Sequence, residues 1–143
     1  MAVLFVSCGF AFGQGFDFEI IQGNFTWQEA KADAEARGGR LAVLNTQEQI
    51  DAAKTYLDTL STENIGEAWI GLTNNGSITN QSNEYVWVTG EALTASNWHP
   101  GTPNTGAATA AKLMRWDSGS VYGWDDDSID LRRNYLLTSL SLR

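Results

Sequence analysis

Residues 26–44 read TWQEAKADAEARGGRLAVL, and they decide the fold class. Thr26 and Glu29 make a capping box, in which the hydroxyl and the carboxylate satisfy opposing backbone N–H groups at a helix start. An alanine-rich run carries that helix to Arg37, where Gly38-Gly39 stop it. Leu41-Ala42-Val43-Leu44 then reads as a short buried strand. Thr46-Gln47-Glu48-Gln49 repeats the capping box, and Ile50, Ala53, Leu57 and Leu60 form one apolar stripe beyond it. Helices are therefore expected near residues 27–37 and 47–60.

Upstream of this unit, Phe16–Ile21 alternates apolar and polar residues as a half-buried strand would. From Trp69 onward the pattern changes to short apolar runs punctuated by Gly, Asn, Ser and Thr. The expected strands are Trp69–Leu72, Tyr85–Val88, Leu113–Trp116, Val121–Trp124 and Tyr135–Leu137. Helices early and strands late describe an α+β domain over residues 16–138, with a tail at 139–143. A long loop runs from about Thr89 to Ala111, and loops of that length are usually functional or disordered.

Composition narrows the function classes. The chain has 143 residues, enough for one domain with a sizeable core, and only 18% are charged. A net charge of −8 excludes nucleic acid, or an anionic membrane, as a partner held by charge. Residues 1–13 are uncharged and mostly apolar, too short to span a bilayer, and read as a truncated signal peptide. The alternatives are a first core strand, or a poor lipobox that attaches the chain to a membrane only if Cys8 is lipidated. Cys8 is the only cysteine, so the mature domain has no disulfide. A secreted domain without disulfides points more to a bacterial source than to an animal one.

Two stretches carry chemistry. Trp98-His99-Pro100-Gly101-Thr102-Pro103-Asn104 holds both prolines and the only histidine, and forces an irregular loop. Downstream lies Trp124-Asp125-Asp126-Asp127, whose carboxylates repel one another unless water, a cation or a hydrogen-bond donor compensates them. The bland reading of this run is a solvated turn. It does not fit an EF-hand, because position five from Asp125 is Ile129 and no glycine follows at six. His99 has no second histidine to share a transition metal and reads as a loop residue. Adjacent aspartates on one segment do not present the separated pair that glycoside hydrolysis needs, so the chain is read as a non-enzyme. Sequons begin at Asn24, Asn75 and Asn80, as Asn- and Ser-rich loops generate by chance.

The order of these pieces resembles a C-type lectin-like domain. The resemblance spans about residues 17–138 and rests on Trp69-Ile70-Gly71-Leu72, Tyr85-Val86-Trp87, Asn97-Trp98, Gly101-Thr102-Pro103-Asn104 and Gly123-Trp124-Asp125-Asp126. It implies two helices with small antiparallel sheets, neighbouring termini and a long ligand-binding loop. The family's usual disulfide cysteines are absent, as in a cysteine-free, bacterial member. In its calcium-binding members a cis proline turns two flanking side chains onto one ion, and a carboxylate or amide pair after a tryptophan completes the shell. Asn104 matches the triplet's asparagine, Thr102 stands where an acid or amide is expected, and Asp125 and Asp126 match the downstream pair. A further acid is missing from Thr105–Ala111. The implied metal ligands are Asn104, Asp125 and Asp126, holding calcium weakly. The implied ligand surface adds Thr102, with Trp98 and Tyr122 either stacking on a sugar ring or belonging to the core, where Trp69, Trp87 and Trp116 are placed. The expected function is extracellular carbohydrate binding. The alternative is calcium-independent binding of a cell-surface protein or another surface on the same scaffold.

Overall fold

The computed structural model describes residues 16–60, 66–76, 81–105, 109–115 and 122–139. The expected signal peptide with Cys8, and Trp116, lie outside the described residues. Strand β1 (Phe18–Phe25) leads into helix α1 (Trp27–Ala36), β2 (Gly39–Leu41) and helix α2 (Gln47–Asp58). Strands β3 (Ala68–Thr73), β4 (Val86–Trp87), β5 (Thr109–Arg115), β6 (Tyr122–Ser128) and β7 (Arg133–Ser139) follow.

Both capping boxes form. Thr26 Oγ1 accepts from the Glu29 N–H and Thr46 Oγ1 from that of Gln49, while each partner's side chain returns a bond to the cap backbone. The described strands join into one sheet of order β1-β7-β3-β5-β6, with β2 also on β7 and β4 on β3. Pairing is antiparallel except between β3 and β7. Phe18 faces Thr138 across the β1–β7 ladder, which brings the two ends of the domain together.

Period-two alternation makes the sheet two-faced. Ile70, Leu72 and Leu136 face the α2 side, where Ile50, Ala53 and Leu57 pack with Trp87 and Trp124. Trp69, Tyr135 and Leu137 face the α1 side against Trp27, Ala30 and Ala34. The Trp27 indole N–H donates to Ile70 O, tying α1 to the sheet backbone. Trp69 and Trp87 are core residues, as expected.

Several boundaries move. The strand expected at Leu41–Leu44 is shifted to Gly39–Leu41, because β7 offers its ladder there. Ala42 still donates to Leu136 O and accepts from Gly71 N, so 42–45 stays buried without strand geometry. The two glycines have different tasks. Gly38 adopts φ +81° and ends α1, whereas a Cβ on Gly39 would strike the Thr138 carbonyl oxygen. The run Trp124–Asp127 is not a turn but the middle of β6.

Gly39→Ala is expected to cost more than Gly38→Ala in urea unfolding. The first drives a methyl into fixed backbone, about 2–3 kcal/mol. The second pays only for left-handed backbone in open space, about 1–2 kcal/mol. Equal losses would show that β2 and β7 can separate freely at this point.

Candidate functional site

The site is built on β6 and on the loop that lies along its outer edge. Successive side chains leave a strand on opposite faces, so Asp126 departs with Trp124, and Asp125 with Asp127. That alternation is the first reason the aspartates can be neighbours.

Asp127 joins an ion-pair cluster. Its Oδ2 lies 2.8 Å from Lys112 Nζ and 2.9 Å from Arg133 Nη2. Glu67 closes the cluster, bonding Lys112 Nζ at 3.0 Å and Arg133. The Arg133 guanidinium also stacks 4.7 Å above the Trp69 ring. Lys112 is buried, and a buried ammonium is tolerable only with such partners. Burial alone would raise the Asp127 carboxyl, but the Lys112 hydrogen bond and the nearby positive charges outweigh it and hold it below its ordinary value.

Asp126 is 2% exposed and turns toward the loop. Its Oδ1 accepts from Asn104 N at 2.9 Å and its Oδ2 from Thr105 N at 2.7 Å. Just before this point the Thr102–Pro103 peptide is cis. Trp124 fastens the middle of the loop, accepting from His99 N and donating to Asn97 O, each at 2.9 Å. The Asn97 amide adds a bond to Tyr122 O. Asn45 fastens the front: its Oδ1 accepts from Thr94 N at 2.7 Å and Ala95 N at 3.4 Å, and its Nδ2 donates to Ala92 O.

Asp125 is half-buried opposite Lys112 in the β5–β6 ladder. Burial raises its carboxyl pKa; the Lys112 charge pulls the other way, and the negative charge of Asp126 adds to the rise. The structure thus sets the Asn104 backbone against Asp126, whose strand neighbour is Asp125, while the Asn104 side chain is exposed. Among the described residues, no group of three or more His, Cys, Asp or Glu side chains converges as a metal cage. A cation here would need the Asn104 amide and backbone or water oxygens beside the two carboxylates, a donor set that suits a hard ion such as calcium.

The other expected ligand residues lie differently. Tyr122 is 2% exposed, sits under α2 with its hydroxyl 3.4 Å from Leu57 O, and belongs to the core. Trp98 is a wedge between loop and core, edge-to-face with Tyr85 at 4.9 Å and with Trp124 at 5.6 Å. A sugar face cannot stack on Tyr122 as it lies, and Trp98 spends its ring on these neighbours. The Thr102 hydroxyl donates to His99 O and Trp124 O, so it closes the loop rather than facing outward. His99 is a loop residue, its Nδ1 3.1 Å from Pro100 O. Asn45 and Lys112 escape sequence reasoning, and Asn97 entered it only as part of the Asn97-Trp98 resemblance, without a task. Each lies within an ordinary motif, and only pairing across the fold gives it a task.

Asp125 and Asp127 should respond oppositely to pH in metal-free buffer. Asp127, with a lowered folded pKa, adds stability above the ordinary carboxyl range, and this is lost as pH falls through its lower folded value. Asp125, with a raised folded pKa, favours the fold when protonated and loses that contribution as pH rises through its raised value. Asp125→Asn should therefore raise Tm at neutral pH and leave it unchanged in acid; a fall in Tm at neutral pH would contradict this.

The sequence profile of the family described as Lectin C-type domain matches residues 24–135. The low affinity immunoglobulin epsilon Fc receptor of Mus musculus is 30% identical over 105 residues, which are 73% of this chain and 28% of that receptor. The chain spans 28% to 49% of the length of the curated relatives it matches. Among solved structures, CEL-IV superposes with a TM-score of 0.74 at 18% identity, covering 94% of this chain and 92% of its own. The C-type lectin domain of murine dendritic cell inhibitory receptor 2, in complex with N-glycan, superposes with a TM-score of 0.67 at 19% identity, covering 87% and 95%. Helices on both faces of a mixed sheet, a cis-proline loop seated on a Trp-Asp-Asp strand, and a profile match over most of the chain agree: this protein belongs to the C-type lectin domain family.

Proposed function

We propose that this domain binds carbohydrate on the surface formed by the long loop and the Asp125–Asp126 segment of β6, through a weakly held calcium ion. The observation that carries the reading is the docking of Asn104 onto Asp126 beside Asp125, directly after the cis Thr102–Pro103 bond. Calcium accepts six to eight oxygens in flexible geometry. Asn104, Asp125 and Asp126 supply part of such a shell, and vicinal sugar hydroxyls would replace water in the rest. With Thr102 turned inward and both Asp126 oxygens already accepting backbone N–H groups, affinity belongs near the ~10⁻⁴–10⁻³ M range of extracellular modules. The murine receptor domain solved with N-glycan shows that a neighbour of this fold takes such a ligand. Binding, rather than catalysis, is the chemistry these residues offer. We place the domain outside the cell, delivered by residues 1–13, with a glycan or a cell-surface protein as partner. Among the described residues no helix is long and apolar enough to cross a membrane.

A second reading is favoured by the same Asp126 hydrogen bonds: the loop presents a calcium-independent surface to a protein. The two separate cleanly in melting experiments. Calcium at a hundredfold excess over Kd should stabilise the fold by about 2.7 kcal/mol, and chelator should remove that gain. Asp126→Ala is expected to abolish the calcium-dependent rise and the capture of mannosylated or galactosylated albumin. Asp125→Asn is expected to weaken both while leaving the Asp126 bonds intact. Sugar-probe binding that persists in chelator would eliminate the metal-bridged route. No sugar binding and no calcium shift would leave the protein-binding reading.

A further inference from the structure

Two side chains, remote from each other in sequence, each accept from a consecutive pair of loop amides. Asn45 Oδ1 accepts from the consecutive amides of Thr94 and Ala95, and the Asp126 carboxylate accepts from the consecutive amides of Asn104 and Thr105. Asn45 is buried, and both ends of its side-chain amide are engaged. Beyond those bonds its Nδ2 donates to Ala92 O, its carbonyl accepts from the Thr94 hydroxyl, and its N–H donates to Gln49 Oε1. That same Gln49 oxygen accepts from Thr46 N, the cap of α2. A buried amide bonded at both ends is costly to disturb, because each broken bond strands a polar atom. The front of the loop is therefore joined to the start of α2, and its end to the edge strand β6.

We propose that the loop is clamped at both ends by this chain's own acceptors, Asn45 and Asp126, so that its ligand-ready shape needs no cation, and that Asn45 is its positioning residue. Asn45 sits at the root of the loop and touches no part of the Asn104–Asp125–Asp126 surface. It acts by fixing where residues 92–95 leave the body of the domain, which sets the path of the chain to Trp98 and Asn104. The proposal takes the loop as the ligand surface from the reading above, but only its last test depends on that.

Amide hydrogen exchange of the full chain, followed by NMR, tests the clamp without any ligand. In the unaltered protein, Thr94, Ala95, Asn104 and Thr105 should be equally protected in millimolar calcium and in chelator. Release of all four by chelator alone would overturn the proposal, since the cation would then be the clamp. Asn45→Ala should speed exchange at Thr94 and Ala95 by roughly tenfold or more while β1 and β7 keep their rates. Unchanged rates, or a uniform acceleration across the domain, would overturn it. If Asn45→Ala does not fold, Asn45→Asp decides: it keeps an oxygen that accepts from Thr94 and Ala95 and replaces the donor to Ala92 O with a charged oxygen. Protected Thr94 and Ala95 amides then support the clamp, and exposed ones overturn it. In the last arm, Asn45→Ala should weaken capture of mannosylated albumin several-fold and Asn45→Asp should restore it. If the unaltered protein captures no sugar probe, the carbohydrate reading fails, while the exchange pattern still decides the clamp.

Discussion

A carboxylate that is 2% exposed must find donors, and the way Asp126 finds them organises the loop end of this domain. Burying a charge is unfavourable unless strong hydrogen bonds replace its water. On β6 the available donors are the backbone amides of a chain segment passing outside the sheet. The same segment solves a second problem. At the far end of the strand order from β1, β6 would otherwise present unpaired backbone to solvent, the usual route to unwanted strand pairing. Trp124 instead exchanges bonds with Asn97 and His99, and Trp98 bridges to Trp124 in parallel register. Cover for the edge and candidate surface for a ligand are one structure.

Charge is arranged to keep this possible in a chain of net charge −8. The ammonium of Lys112 on β5 and the guanidinium of Arg133 on β7 are spent on Asp127 of β6 and on Glu67, just before β3. Asp127 is thereby neutralised, whereas Asp125 feels Lys112 only at a distance and remains beside Asp126. Of three adjacent carboxylates, one is paired with cations, one with backbone amides, and one is left half-buried without a full ion pair. That unequal distribution, rather than the mere count of aspartates, sets the charge of the surface beside the loop.

With a single cysteine in the chain, packing does the work that crosslinks would otherwise do. Trp87, Trp98 and Trp124 meet edge-to-face, a geometry that adds to the burial of their large rings. The consequence for the site is direct. Trp98 and Tyr122 could serve either core or ligand by composition; the core takes Tyr122 entirely and most of Trp98.

Local chemistry determined what was legible in the chain itself. The two capping boxes, the glycine stop and the apolar stripe of α2 act within a few residues, so helices and fold class could be read from TWQEAKADAEARGGRLAVL and its sequel. The proline loop and the aspartate run could likewise be singled out, because prolines and adjacent charges constrain a chain wherever they occur. Their geometry could not. That Asp126 faces the loop, that Thr102 closes inward, that Tyr122 is core and that Asn45 holds residues 92–95 all follow from contacts made 20 to 65 residues apart. Alternation in β6 depends on its ladder with β5, and the loop's path depends on acceptors placed by β6 and by the start of α2. Such pairings are decided by the energy of burial across the whole fold, which no local run of residues encodes.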